Sequence, residues 1–162
     1  MRAGMRILAI DPGYDRLGIA VVEGNPSRPT LIASDCVEPK KGEPAARLAE
    51  VSSAISIAII DYAPDALGIE TLFFSVNKKT ALGVAEARGA ILAAAGLANL
   101  PVIECTPAQV KLAVTGYGSA DKESIAAMVP RLLDLPPKKR RDDELDAIAV
   151  GITALSQGLP RT

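Results

Sequence analysis

The chain has 162 residues, 49% of them hydrophobic, and a formal net charge of −1 at pH 7. This length suits one domain with a sizeable core, and this composition excludes a disordered chain. The two cysteines, Cys36 and Cys105, have no paired spacing and the chain contains no histidine, which disfavours a zinc site or a disulfide framework. No apolar run approaches the roughly 20 residues that span a bilayer, and the apolar stretch near Met1 is too short for a signal peptide. We therefore expect a cytoplasmic protein, with residues 1–162 as a single domain and no membrane contact.

Turn signals and apolar periodicity predict an alternation of strands and helices. Asp11-Pro12-Gly13 ends the first apolar run, Pro44 suits a first helical turn, and Thr106 suits a helix cap. In chain order we expect strands at 6–10, 17–22 and 30–37, a helix at 44–62, a strand at 66–70, a helix at 79–99, a strand at 101–105, and helices at 107–116, 119–133 and 142–156. Three strands in succession indicate an antiparallel opening. The order predicts an α/β fold with a mixed five-stranded sheet flanked by helices on both faces.

Four acids stand where such a fold places functional groups. Asp11 ends the first strand and Glu70 ends the fourth, while Asp143 and Asp146 share one side of the last helix. If the two strands are neighbours and the helix crosses them, the four carboxylates converge, and the cluster repels itself unless cations neutralise it. Oxygen ligands without histidine or cysteine select Mg²⁺ or Mn²⁺, and two such ions promote in-line phosphodiester displacement.

Each acid also has an ordinary structural explanation. An aspartate before Pro-Gly is usually a turn former, Glu70 suits a strand end at the surface, and acids at a helix start favour the macrodipole. Asp142 and Asp143 both lie within one turn of Asp146, so helical spacing leaves either as its partner. Basic groups at 40–41, 78–79 and 138–141 are more often solvated surface than binding patches, so charge alone does not decide for or against DNA binding.

Five segments carry a resemblance to a known family: ILAIDPG (7–13), ALGIE (66–70), EARGAILAAA (86–95), QVKLAVTGYGSADK (109–122) and DDELDAIAVG (142–151). In this order and at these distances they are similar to the bacterial RuvC family of Holliday junction endonucleases, from about Met5 to Leu155. The resemblance implies an RNase H-like fold and a Mg²⁺-dependent endodeoxyribonuclease that resolves four-way junction DNA in recombination and repair. It also implies a homodimer that nicks two strands symmetrically and works with a branch-migration motor complex.

The resemblance further implies roles for individual side chains. The ligands that it implies for two Mg²⁺ ions, which Mn²⁺ can replace, are Asp11, Glu70, Asp143 and Asp146. It therefore selects Asp143 over Asp142. Lys111 and Lys122 match lysines near the scissile phosphates, so they join the four acids as expected catalytic residues and as DNA contacts.

A stretch after the fourth strand is expected to contact the DNA. Phe73 matches a family aromatic that acts on junction bases, and an exposed ring can stack on unpaired bases or wedge between them. The same stretch ends in Asn77, Lys78 and Lys79. Phe73 and its neighbour Phe74 can instead be core residues, an alternative that the residues alone leave open.

The chain departs from the family pattern in two places. Gly18-Ile19-Ala20 stands where the family usually has Gly-aromatic-Gly, a difference that we expect to affect packing only, and residues 1–4 are expected to be an N-terminal extension. Three rival functions remain: another RNase H-like nuclease (an RNA–DNA hybrid hydrolase or the YqgF type), an actin-like or sugar-kinase-like ATPase, and a non-catalytic junction-binding protein. The ATPases need a second phosphate-binding glycine turn, which this sequence lacks, and a non-catalytic binder is expected to lose at least one of the four acids, whereas all four are present.

Overall fold

The computed structural model describes residues 2, 4–72 and 78–161, with Lys78 described in its backbone only. The described elements are β1 Met5–Asp11, β2 Leu17–Asn25, β3 Arg28–Val37, α1 Pro44–Tyr62, β4 Ala66–Glu70, α2 Lys78–Leu97, β5 Val102–Cys105, α3 Pro107–Thr115, α4 Lys122–Leu132 and α5 Asp142–Gln157. Each element expected from the sequence is present, and the boundaries differ from expectation by three residues at most.

The five strands form one mixed sheet in the order β3-β2-β1-β4-β5. β1 and β2 are antiparallel, as are β2 and β3, whereas β1 runs parallel to β4 and β4 runs parallel to β5. In the register of β1 and β4, Ile10 pairs with Ile69. The next residues, Asp11 and Glu70, therefore end neighbouring parallel strands at the same edge of the sheet.

Helices cover both faces of this sheet, as expected. Side chains alternate along β1, so Ile7 and Ala9 join the core beneath α3, α4 and α5, while Leu8 and Ile10 join the core beneath α1 and α2. Helix α5 is buried from Ala147 to Leu155. This helix crosses the centre of the sheet and brings its first turn over the strand ends that carry the two acids.

Two boundaries differ from expectation for local reasons. The β2–β3 ladder continues to the pair of Asn25 and Arg28, because the Asn25 side-chain oxygen accepts hydrogen bonds from the N–H groups of Ser27 and Arg28, each at 3.0 Å. The expected loop of residues 24–29 is therefore a two-residue turn. Helix α4 begins at Lys122 rather than at residue 119, because the Asp121 carboxylate caps it by accepting from the Ser124 N–H at 2.8 Å.

Helix α2 contradicts the expectation that no stretch is apolar enough to span a bilayer. Residues Lys79–Leu97 have a mean hydropathy of 1.3 and meet the length and composition of a membrane span. The expectation was wrong because many alanines outweigh Lys79, Glu86 and Arg88, the charges inside this stretch. Such a helix is weak evidence for a membrane protein, since core helices meet the same criteria, and α2 buries Ile91 and Ala95 in the core shared with α1.

Candidate active site

Both strand-end acids have a raised pKa. The pKa of Asp11 is raised from its usual 3.8 to about 8, mainly by burial and then by the negative charges of Asp146, Glu70 and Asp143, in that order. Burial also raises the pKa of Glu70, again with Asp146 contributing. The four acids predicted to converge therefore lie close enough to repel one another, and the structure brings all of them to one edge of the sheet.

Close packing of α5 on β2 places the helix acids. A Cβ atom added at Gly18 on β2 would lie 1.9 Å from the backbone oxygen of Asp143, so only a glycine allows the first turn of α5 this near to the strand. Asp146 lies one turn further along the helix, and burial raises its pKa while Lys122 opposes that rise. The contact at Gly18 therefore fixes the height of both helix acids above the strand ends.

Each of the two helix acids is paired with a cation from a separate loop or helix. Arg16 Nε lies 2.5 Å from Asp143 Oδ2, and Lys122 Nζ lies 3.3 Å from Asp146 Oδ2. The Arg16 contact is an ion pair without hydrogen-bond geometry, because Asp143 Oδ2 is closed to solvent and accepts no hydrogen bond. A metal ion that takes this oxygen as a ligand would therefore have to displace Arg16.

The four carboxylates are oxygen donors, the ligand type that a hard divalent cation such as Mg²⁺ prefers. In the described part of the chain, no three acidic, cysteine or histidine side chains are grouped closely enough to hold one metal ion. Asp143 and Asp146 are instead each paired with a cation, Arg16 and Lys122 respectively. The buried, mutually repelling carboxylates of Asp11 and Glu70 are what Mg²⁺ or Mn²⁺ would neutralise.

The first turn of α5 distinguishes Asp142 from Asp143, which helical spacing left as equal candidates for the partner of Asp146. Asp142 is exposed, whereas Asp143 is partly buried and is among the residues that raise the pKa of Asp11. Glu144 is buried and contacts β3, where it accepts a hydrogen bond from the Ser34 hydroxyl at 2.7 Å. These positions favour Asp143 as the companion of Asp146, and its assignment as a ligand stays a prediction.

The two predicted lysines border an open cavity beside the acids. This cavity has a volume of about 270 Å³ and lies between α3, α4 and α5, with Lys111, Lys122, Glu70 and Asp146 in its wall. Both lysines lower the pKa of Glu70 through their positive charge. The structure therefore places Lys111 and Lys122 at the carboxylates, as expected of residues near a reacting phosphate.

The expected DNA-contacting stretch lies only partly within the described residues. Phe73, Phe74 and Asn77 lie outside the described residues, as does the side chain of Lys78. Lys79 is exposed in the first turn of α2. The roles assigned to this stretch stay predictions.

Sequence reasoning missed two arginines at the site. Arg16 lies in the β1–β2 loop, and its pairing with Asp143 could not be read from spacing because 127 positions of chain separate the two residues. Arg88 on α2 donates to the backbone oxygen of Glu70 at 3.4 Å and forms an ion pair with Glu104 at 3.2 Å. The only available signal for Arg88 was its place in the EARG segment of the family resemblance.

The family model described as crossover junction endodeoxyribonuclease RuvC matches residues 7–154. The chain belongs to the RuvC family. It is 44% identical over 149 residues to crossover junction endodeoxyribonuclease RuvC of Moorella thermoacetica, which covers 91% of this chain and 89% of the relative. It is also 41% identical over 161 residues to the RuvC of Salinispora arenicola, covering 98% of this chain and 91% of that one.

Solved structures of RuvC proteins share the whole fold. Thermus thermophilus RuvC superposes with a TM-score of 0.84 at 33% identity, covering 92% of each chain. T. thermophilus RuvC in complex with a Holliday junction substrate gives 0.85 at 34% identity, again covering 92% of each chain. The yeast mitochondrial Holliday junction resolvase Ydc2 matches with a TM-score of 0.70 at 14% identity, covering 96% of this chain and 79% of that one, which shows the fold alone. The RNase H-like fold and the family resemblance expected from the sequence are confirmed.

Proposed function

We propose that this RuvC-family chain is a structure-selective endodeoxyribonuclease that resolves Holliday junctions in DNA recombination and repair. The observation that carries the proposal is the convergence of Asp11, Glu70, Asp143 and Asp146 at one sheet edge, beside a cavity walled by two lysines. The names of its relatives support nuclease chemistry, and the junction-bound T. thermophilus structure supports the substrate. All four acids are present, which disfavours a non-catalytic junction-binding protein.

The catalytic carboxylates would hold two Mg²⁺ ions, with Mn²⁺ as a substitute. Two divalent ions, when bound, stabilise the attacking water and the leaving oxygen of a phosphodiester. Asp11 and Glu70 supply donors from rigid strand ends, while Asp143 and Asp146 supply donors from a buried helix. Because these elements are packed into the core, the donors keep their relative positions when the DNA arrives.

Lys111 and Lys122 would act on the phosphate itself. Both project into the cavity that opens beside Glu70 and Asp146, so a phosphate entering there meets two positive charges. Positive groups held next to a reacting phosphate stabilise the charge that develops in the transition state. On the α2 side, Phe73 would engage junction bases, and Asn77, Lys78 and Lys79 would contact the backbone of the DNA.

Symmetric cutting requires two active sites, and we propose a homodimer. The outward side of α2 is its candidate surface, because Leu97 is 86% exposed and Gly89, Ala93 and Gly96 on the same helix are also exposed. Small residues there let a second helix approach closely. The proposal includes a single domain over residues 1–162 with 1–4 as an extension, action in the cytoplasm, and cooperation with a branch-migration motor complex.

The decisive experiment offers the purified protein three labelled substrates: a four-way junction, a linear duplex of the same sequence and an RNA–DNA hybrid. We expect paired nicks in the junction with Mg²⁺ or Mn²⁺, no cutting in EDTA, and junction binding that persists in EDTA. The Asp11→Asn variant is the matched control for a contaminating nuclease. Preferential cutting of the hybrid would replace the proposal with the RNA–DNA hydrolase, and undiminished cutting in chelator would refute the metal-dependent mechanism.

A further inference from the structure

Two arginines tie together three loops on the β3 side of the active site. Arg47 of α1 donates to the backbone oxygen of Tyr14 at 2.8 Å and to that of Lys40 at 3.4 Å, and its guanidinium lies 5.2 Å from the centre of the Tyr14 ring. Arg141, directly before α5, forms an ion pair with Glu38 directly after β3. The β1–β2, β3–α1 and α4–α5 loops are therefore fastened to one another at the sheet edge where Asp11 lies.

Two of these loops carry lysines whose charge the protein leaves unneutralised. Lys40 and Lys41 follow β3, and Lys138 and Lys139 precede α5; all four are exposed. Within the described ranges, none of the four ammonium groups has a carboxylate oxygen within 4.0 Å, unlike the paired arginines Arg47 and Arg141. The two lysine pairs therefore form a local positive surface, which we call the β3-side basic surface, on a chain whose net charge is −1.

The position of this surface relative to the catalytic acids can be estimated from the sheet. β3 is two strands away from β1, and neighbouring strands lie about 4.8 Å apart, so the surface begins about 10 Å from Asp11. One strand of DNA advances about 3.4 Å per nucleotide along the helix axis, so this distance spans roughly three nucleotides. Lys111 and Lys122 lie on the opposite side of the acids, at the cavity beside α3 and α4.

We propose that the β3-side basic surface binds the phosphate backbone of the duplex arm that leaves the active site on the β3 side. The inference rests on the proposed function, and it adds the path that the substrate DNA takes beyond the reacting phosphate. Duplex DNA is the partner that fits, because exposed and unpaired lysines on a firmly held surface release condensed counterions when they meet phosphates. The arginine ties hold the lysine-bearing loops in place before binding, which lowers the ordering cost of the complex.

The two arginines have a different role from the lysines. Arg47 and Arg141 hold the loops of the β3-side basic surface, and the lysines contact the DNA. The guanidinium groups of Arg47 and Arg141 already bind protein partners, so these arginines are positioning residues for the loops that carry the lysines. Arg140, between Lys139 and Arg141 in the chain, is partly buried and its Nε has no hydrogen-bond partner. The four exposed lysines are therefore the side chains of this surface that the test changes.

The test uses two double variants and one matched control. Lys138→Gln/Lys139→Gln and Lys40→Gln/Lys41→Gln each remove two charges from the surface, and Arg28→Gln/Arg161→Gln removes two charges from the far end of the sheet, near the β2–β3 turn and the start of β5. Junction affinity is measured in EDTA over a series of salt concentrations. We expect the slope of log affinity against log salt to fall by about 1–2 in each surface variant, since each phosphate contact contributes about 0.9, and to be unchanged in the control.

A second measurement locates the contact. Single methylphosphonates, which carry no charge, replace phosphates one at a time on both sides of the cut. Neutral groups about three to five nucleotides from the cut on one side should weaken wild-type binding and have no further effect on the surface variants. The proposal would be overturned if the surface variants and the control had equal slopes of log affinity against log salt. It would also be overturned if each methylphosphonate weakened binding by the same factor in the surface variants as in the wild type. A wild-type protein that fails to prefer junctions over duplex would instead refute the proposed function, so the two failures are distinguishable.

Discussion

Arg16 Nε lies 2.5 Å from Asp143 Oδ2, and this pair joins the β1–β2 loop to the first turn of α5 across the catalytic cluster. The guanidinium is half exposed, whereas the Asp143 oxygen that it contacts is closed to solvent. A divalent cation that takes Asp143 as a ligand competes with this pair for the same oxygen. Arg16 therefore acts as a counter-ion that stabilises the metal-free protein.

Replacing Arg16 by Gln should lower the stability of the metal-free protein and strengthen the binding of a divalent metal ion. The half-exposed pair contributes at most about 1 kcal/mol, so the melting temperature in EDTA should fall by about 4 °C or less. Titration with Mn²⁺ should show a several-fold tighter dissociation constant, because Asp143 no longer has an internal partner. Arg28→Gln is the charge-matched control. Weaker Mn²⁺ binding in the Arg16 variant would mean that Arg16 orients Asp143 for the ion.

The three aspartates at the start of α5 should differ sharply in function. Asp143→Asn and Asp146→Asn should each nearly abolish junction cleavage and leave junction binding intact, because asparagine keeps the shape of a ligand and loses its charge. Asp142→Asn should stay near the wild-type rate, since the exposed Asp142 contributes only about 0.3–1 kcal/mol at a helix start. Cleavage rates on one labelled junction decide between them. An inactive Asp142 variant beside an active Asp143 variant would reverse the assignment.

The buried Asp11 should make the metal-free protein less stable as pH rises. The folded pKa of Asp11 is about 8 and its ordinary value is 3.8, so the folded state favours the protonated form. The stability from this group is fully present below about pH 4 and is lost as pH rises through 8. Asp11→Asn should therefore raise the melting temperature in EDTA more at pH 8 than at pH 5. Asp142→Asn serves as the control, and an equal gain at both pH values would contradict the pKa shift.

Lys111 and Lys122 should affect the rate of cleavage more than the affinity for the junction. Alanine at either position removes a positive charge from the cavity beside Glu70 and so removes stabilisation of the transition state. We expect the cleavage rate at saturating enzyme to fall by about tenfold or more, while the dissociation constant changes by a few-fold. The reverse pattern would make the lysine a phosphate anchor.

Local signals in the sequence were sufficient for the fold and for the placement of the acids. Alternation along the strands, prolines at helix starts and the capping residue Thr106 each act within a few residues, and the structure follows them. Parallel pairing of β1 with β4 then brings Asp11 beside Glu70. The pairings of Arg16 with Asp143 and of Ser34 with Glu144 could not be predicted, because they depend on loop paths and on the angle at which α5 crosses the sheet.

Gly18 imposes a constraint that couples folding to catalysis. Its missing side chain is what allows β2 to touch the backbone of Asp143, and a single methyl group there would meet that backbone oxygen at 1.9 Å. The strand or the helix would have to move, and movement of α5 separates the helix acids from the strand acids. A substitution at position 18 that disturbs the packing therefore also separates the catalytic acids. During evolution, stability and activity are lost together at this position, and neither can be gained at the expense of the other.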